Sequence, residues 1–87
     1  MPNLLDETIC VVRKCISSCL AIDIEKLTLG SSIGEFTEWD SMGNLTIFFS
    51  LQETFNVEIP LDVAGNIRSV EDWAHAITNQ LSKSEAN

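Results

Sequence analysis

Ser41 is the side chain best placed for chemistry, because it follows Asp40 at the head of an apolar-periodic run, Glu38-Trp39-Asp40-Ser41-Met42-Gly43-Asn44-Leu45. An Asp-Ser pair in that position has two readings. Ser41 could be a plain helix N-cap, with Asp40 beside the positive end of the helix dipole. Alternatively, its hydroxyl is presented outward at a helix N-terminus, where unpaired N–H groups and the dipole favour a phosphate. That would be a modification site, and Asp40 could then orient Ser41 for a modifying enzyme or bind that enzyme's metal. A nucleophilic serine needs a base, and the only histidine, His75, is distant in sequence. A Ser-His-Asp arrangement also needs a pocket that a chain of 87 residues hardly supplies.

The other reactive groups are Cys10, Cys15 and Cys19. Their odd number, the lack of a secretory signal pattern and the lack of a second cluster argue against a disulfide framework. Cys15 and Cys19 share one helix face, but a metal would need further ligands. They read as buried or half-buried free thiols, with packing as their role, and imply a reducing cytosol. Leu29-Gly30-Ser31-Ser32-Ile33-Gly34 contains glycines but lacks the phosphate-loop spacing and lysine. Asn44-Leu45-Thr46 matches a glycosylation sequon, which means nothing without secretion.

Charge limits the partners. The chain carries 13 acidic and 5 basic residues, a net charge of -8. Nucleic acid and anionic membrane surfaces would be repelled, so neither is an expected partner. Basic patches on other proteins would be attracted, although the same charge also serves solubility. No apolar run approaches the length of a membrane span. A chain this short makes one domain and buries only about 60% of the surface its unfolded form exposes, so function is sought on the surface.

The elements that must position Ser41 follow from apolar spacing. Leu5, Ile9, Val12, Ile16 and Leu20 predict a helix from about Asn3 to Leu20, with Asn3 as its cap, Asp6 and Glu7 in its first turn, and Arg13 and Lys14 on its outer face. Residues 21–39 lose the period and form a long loop pinned by Ile24, Leu27, Leu29, Ile33 and Phe36. A second helix runs from Asp40-Ser41 to Phe55, with Ile47, Leu51 and Phe55 facing the core beside Phe48, and Leu45 and Phe49 on another flank. Asn56 suits a left-handed stop. Ile59-Pro60 is extended, residues 61–66 allow one short helical turn, and Ser69 caps a last helix whose stripe is Val70, Trp73, Ala74, Ile77 and Leu81. The expected fold is all-α: three main helices and one short one, with a long loop after the first. The domain spans 1–82, followed by a flexible tail at 83–87.

With these elements in register, the chain resembles the acyl carrier proteins. Asp40-Ser41-Met42 is similar to the family's Asp-Ser-Leu signature, with Met42 in the leucine place. Leu51-Gln52-Glu53-Thr54-Phe55 resembles its Leu-Glu-Glu-x-Phe run, Val57-Glu58-Ile59-Pro60 its Ile-Pro step, and Ser69-Val70-Glu71-Asp72 the start of its last helix. The likeness covers roughly residues 4 to 82. It implies that Ser41 carries 4′-phosphopantetheine, installed from coenzyme A by a phosphopantetheinyl transferase that recognises Asp40. The arm's thiol would hold acyl intermediates as thioesters for acyl-activating, acyltransferase or ketosynthase-type enzymes of fatty acid, polyketide or another specialised pathway. The chain itself would be a cytoplasmic monomer and not an enzyme.

The resemblance also implies a docking face on the second helix and the loop before it. Glu35, Glu38, Asp40, Glu53 and Glu58 supply its acids, and Met42, Leu45 and Phe49 its apolar contacts. Trp39 belongs either to loop packing or to this face. Gly43, Asn44, Thr46 and Gln52 stand at expected surface positions where fatty-acid carriers often have acids. That depletion predicts docking through apolar contact and a dedicated partner set. Two alternatives stay open: an aminoacyl or peptidyl carrier, disfavoured by Trp39-Asp40 where glycines often precede the serine, and a non-carrier acidic helical interaction module.

Overall fold

The computed structural model describes residues 4–85, and side chains through residue 83. Asn3, the expected cap of the first helix, lies outside the described residues. Helices α1 (Leu4–Leu20), α2 (Ser41–Phe55) and α4 (Val70–Glu85) make the bundle, with the single turn α3 (Leu61–Ala64) between the last two. Among the described residues there is no strand, only an isolated antiparallel bridge between Ser32 and Ser69. The all-α architecture is the one the periodicity predicts. The last helix, however, continues to Glu85, past the expected end at residue 82.

The core follows the stripes. Val12, Ile16 and Leu20 of α1 meet Ile47, Phe48 and Leu51 of α2 and Val70, Trp73, Ala74 and Ile77 of α4. Thr8 joins them, its hydroxyl donating to the Leu4 carbonyl at 2.8 Å, so this polar side chain is buried without an unpaired group. Asn56 ends α2 in the left-handed region at φ 54°, its N–H bonding the Gln52 and Glu53 carbonyls. Ser69 caps α4, its hydroxyl accepting from Asp72 N at 3.1 Å.

The long loop is ordered by its own contacts. Ile22 and Leu27 are buried, and Ile24–Lys26 forms a 3-10 turn capped by Asp23. Arg13, expected on the outer face of α1, reaches across instead. Its Nε donates to the Leu27 carbonyl at 3.0 Å and another guanidinium nitrogen to the Ile24 carbonyl at 2.9 Å. A half-buried guanidinium is satisfied by two loop carbonyls, and that of Ile24 also accepts from Leu27 N at 3.1 Å.

Candidate functional site

Asp40, and not Ser41, caps α2. Its Oδ1 accepts from Gly43 N at 2.8 Å, and Asn44 N bonds the Asp40 carbonyl at 2.9 Å. Ser41 is therefore the first helical residue and is exposed. Among the described residues no hydrogen bond engages its hydroxyl. The reading of Ser41 as a mere cap is thereby corrected, because the carboxylate one residue earlier already satisfies the first-turn N–H.

Gly43 holds this junction close to the loop. A methyl group there would stand 2.5 Å from the Glu38 carbonyl oxygen and 3.2 Å from Leu20 Cδ2. The position is buried, and no side chain fits it.

Two small cavities meet at Ser41. One, of about 210 Å³, is walled by Leu45, Phe48, Leu61 and Trp73. The other, of about 190 Å³, is walled by Ile33, Ile67 and Arg68. Asn44, Ala64 and Gly65 line both. Neither contains a histidine. His75 is exposed on α4, with Nε2 3.7 Å from Glu71 Oε1.

The expected docking residues divide. Met42 (70% exposed), Phe49 (58%) and Leu45 are open to solvent, as are Glu35, Glu38, Asp40, Glu53 and Glu58. Phe49, Glu53 and Glu58 line one open groove of about 800 Å³ with Leu61 and Lys83. Leu45 lies instead in the apolar cavity beside Ser41, and Met42, Glu35 and Glu38 line neither space. Trp39 leaves the set. It is 0% exposed, in the core, and its indole N–H donates to Asn44 Oδ1 at 3.0 Å, so it cannot touch a docked partner. Leu61 (75% exposed) and Val63 of α3 extend the apolar surface. Both were legible as apolar residues on a turn too short to bury them.

The depletion of acids on α2 has a structural cause at three of its four positions. Gly43 is packed against Glu38 and Leu20. Asn44 accepts from both tryptophan indoles and donates to the Ile67 carbonyl. Gln52 Oε1 accepts from Ile59 N at 2.7 Å. Only Thr46 is an exposed position, and its hydroxyl donates to the Met42 carbonyl at 3.1 Å. Reading Gly43, Asn44 and Gln52 as open surface was an error, and at these three positions the depletion says nothing about pathway.

Cys15 and Cys19 are half-buried with their sulfurs 3.8 Å apart, whereas Cys10 is exposed, contrary to expectation. Burial, more than any neighbour, pushes the Cys15 thiol above the ordinary cysteine range; the Ser50 hydroxyl, 3.2 Å away, opposes this and Cys19 adds to it. Among the described residues no three potential ligands gather to hold a metal, and no helix is long and apolar enough to cross a membrane.

Comparison with protein-family models finds no match. Comparison with curated proteins does. The chain is 35% identical over 71 residues to the acyl carrier protein of Caulobacter vibrioides, covering 82% of this chain and 91% of that one. It is 30% identical to the acyl carrier protein of Thermosynechococcus vestitus over 71 residues, 82% of this chain and 88% of that one. It is 25% identical to that of Cylindrotheca sp. over 79 residues, 91% of this chain and 99% of that one. With an exposed serine leading α2 and this agreement over most of the length of both chains, the protein belongs to the acyl carrier protein family.

Proposed function

We propose that Ser41 is the attachment residue for 4′-phosphopantetheine and that the chain carries acyl cargo between biosynthetic enzymes without catalysing turnover itself. The observation that carries this reading is the division of labour at the start of α2: Asp40 takes the cap, leaving the Ser41 hydroxyl exposed and unengaged. The residues fit the group. An exposed hydroxyl at a helix N-terminus, flanked by two small cavities, has room for a phosphodiester and for the chain beyond it.

Attachment exchanges the hydroxyl hydrogen for a bond to phosphorus, with the adenosine bisphosphate part of coenzyme A as leaving group. Once attached, the group supplies a terminal thiol that holds acyl cargo as a thioester. The exposed acids Glu35, Glu38, Glu53 and Glu58 and the apolar Met42, Leu45 and Phe49 suit partners that present cations around an apolar contact. Three free thiols suit a reducing cytosol.

The test is intact mass before and after incubation with coenzyme A and a broad-specificity phosphopantetheinyl transferase. One phosphopantetheine is gained by the wild type and none by Ser41→Ala. No gain by a folded chain that began unmodified would overturn the reading. Asp40→Asn, which keeps a capping oxygen, separates the two roles of Asp40: unchanged stability with slower modification marks recognition of its charge.

A further inference from the structure

The chain has five cations, and four line neither cavity at Ser41. Arg13 is held by the Ile24 and Leu27 carbonyls. Lys83 lines the separate groove beyond Phe49. Lys14 is on α1, and Lys26 is in the 3-10 turn. Arg68 is the only cation lining either cavity that Ser41 lines.

Its main chain is pinned at both ends. The Arg68 N–H donates to Asp72 Oδ2 at 3.3 Å, and its carbonyl accepts from Ile33 N at 2.8 Å. Its guanidinium, by contrast, has no hydrogen bond or ion pair among the described residues. Among the described residues no carboxylate lines either cavity. Arg68 is exposed, so in a chain of net charge -8 its unpaired guanidinium, carried on a pinned main chain beside an exposed serine, is open to an anion.

Resting on the reading of Ser41 as the attachment residue, we propose that Arg68 is the positioning residue for the Ser41 phosphodiester. The planar guanidinium matches two phosphate oxygens with parallel N–H donors, which a lysine cannot do. The arm is thereby held at its root, beside the cavity that Ser41 and Arg68 both line. Its far end stays free to reach a partner.

Phosphorus NMR of the modified protein tests this without any enzymatic readout. The phosphodiester resonance of the wild type moves as salt is raised from about 0.01 M to about 1 M, because screening releases the guanidinium. In Arg68→Gln the resonance is displaced from the wild-type position at low salt, narrower and indifferent to salt. Arg68→Lys restores part of the salt response, and Lys83→Gln, in the other groove, behaves as wild type. A wild-type resonance indifferent to salt overturns the proposal, and so does an Arg68→Gln spectrum identical to wild type. In either case the mass gain at Ser41 leaves the attachment reading standing. Absence of that gain overturns both.

Discussion

Trp39 and Trp73 donate their indole N–H groups to one oxygen: Asn44 Oδ1 lies 3.0 Å from Trp39 Nε1 and 3.1 Å from Trp73 Nε1. Both rings are wholly buried. The other end of the same amide donates to the Ile67 carbonyl at 3.0 Å. One side chain on the first turn of α2 thus joins the loop before Ser41, the connection after α3, and α4.

Asn44→Ala would leave two buried donors and a carbonyl without partners. Each orphaned group costs about 1–3 kcal/mol, so the variant loses at least about 3 kcal/mol in urea unfolding followed by tryptophan fluorescence. Equal stability of Asn44→Ala and wild type would show that water replaces the amide and that the junction at Ser41 is not held in this way.

Gly43→Ala makes a prediction of opposite sign to helix propensity. In an ordinary helix this change stabilises by about 1 kcal/mol. Here the new methyl would sit 2.5 Å from a backbone oxygen, that of Glu38, which cannot swing aside as a side chain could. Relief requires the loop and α2 to part, at about 1–3 kcal/mol. The expected result is a lower urea midpoint and slower modification of Ser41, since the segment that presents it has moved. A stabilised Gly43→Ala would show that the approach of Glu38 to α2 is slack.

The helices were legible because their information is local. The spacing of Val12, Ile16 and Leu20 places one face of α1, Ser69 announces the start of α4 and Asn56 the end of α2, each within a few residues of its partners. Ser41 stood out as a candidate site for the same reason, through its position in a register of neighbouring motifs. What stayed hidden was tertiary. Arg13, Asn44 and Gln52 look like surface residues because their partners at Ile24, Leu27, Ile67 and Ile59 lie outside any helical repeat. Trp39 sits in a loop without periodicity, so nothing near it in sequence says that its ring is in the core. Which of Asp40 and Ser41 caps α2 depends on the backbone angles of one residue, with Asp40 extended at φ -102°.

The thiols give a prediction in pH. Burial between α1 and α2 holds the proton on native Cys15 to higher pH than the unfolded chain does. A group whose native pKa is raised contributes stability that is complete below its unfolded value, about 8.5 for cysteine, and that is lost as pH rises through the native value. The urea midpoint should therefore fall as pH rises above about 8.5, and fall less in Cys15→Ala, where the neutral methyl has no proton to lose. Alkylation supplies the site-resolved check. With iodoacetamide and peptide mapping, exposed Cys10 reacts severalfold faster than Cys15, and the rate at Cys15 climbs only at higher pH. Equal rates and coincident pH profiles at the two positions would mean that the α1–α2 seam opens often enough to wet Cys15, and the packing of Ser50 against it would then be transient.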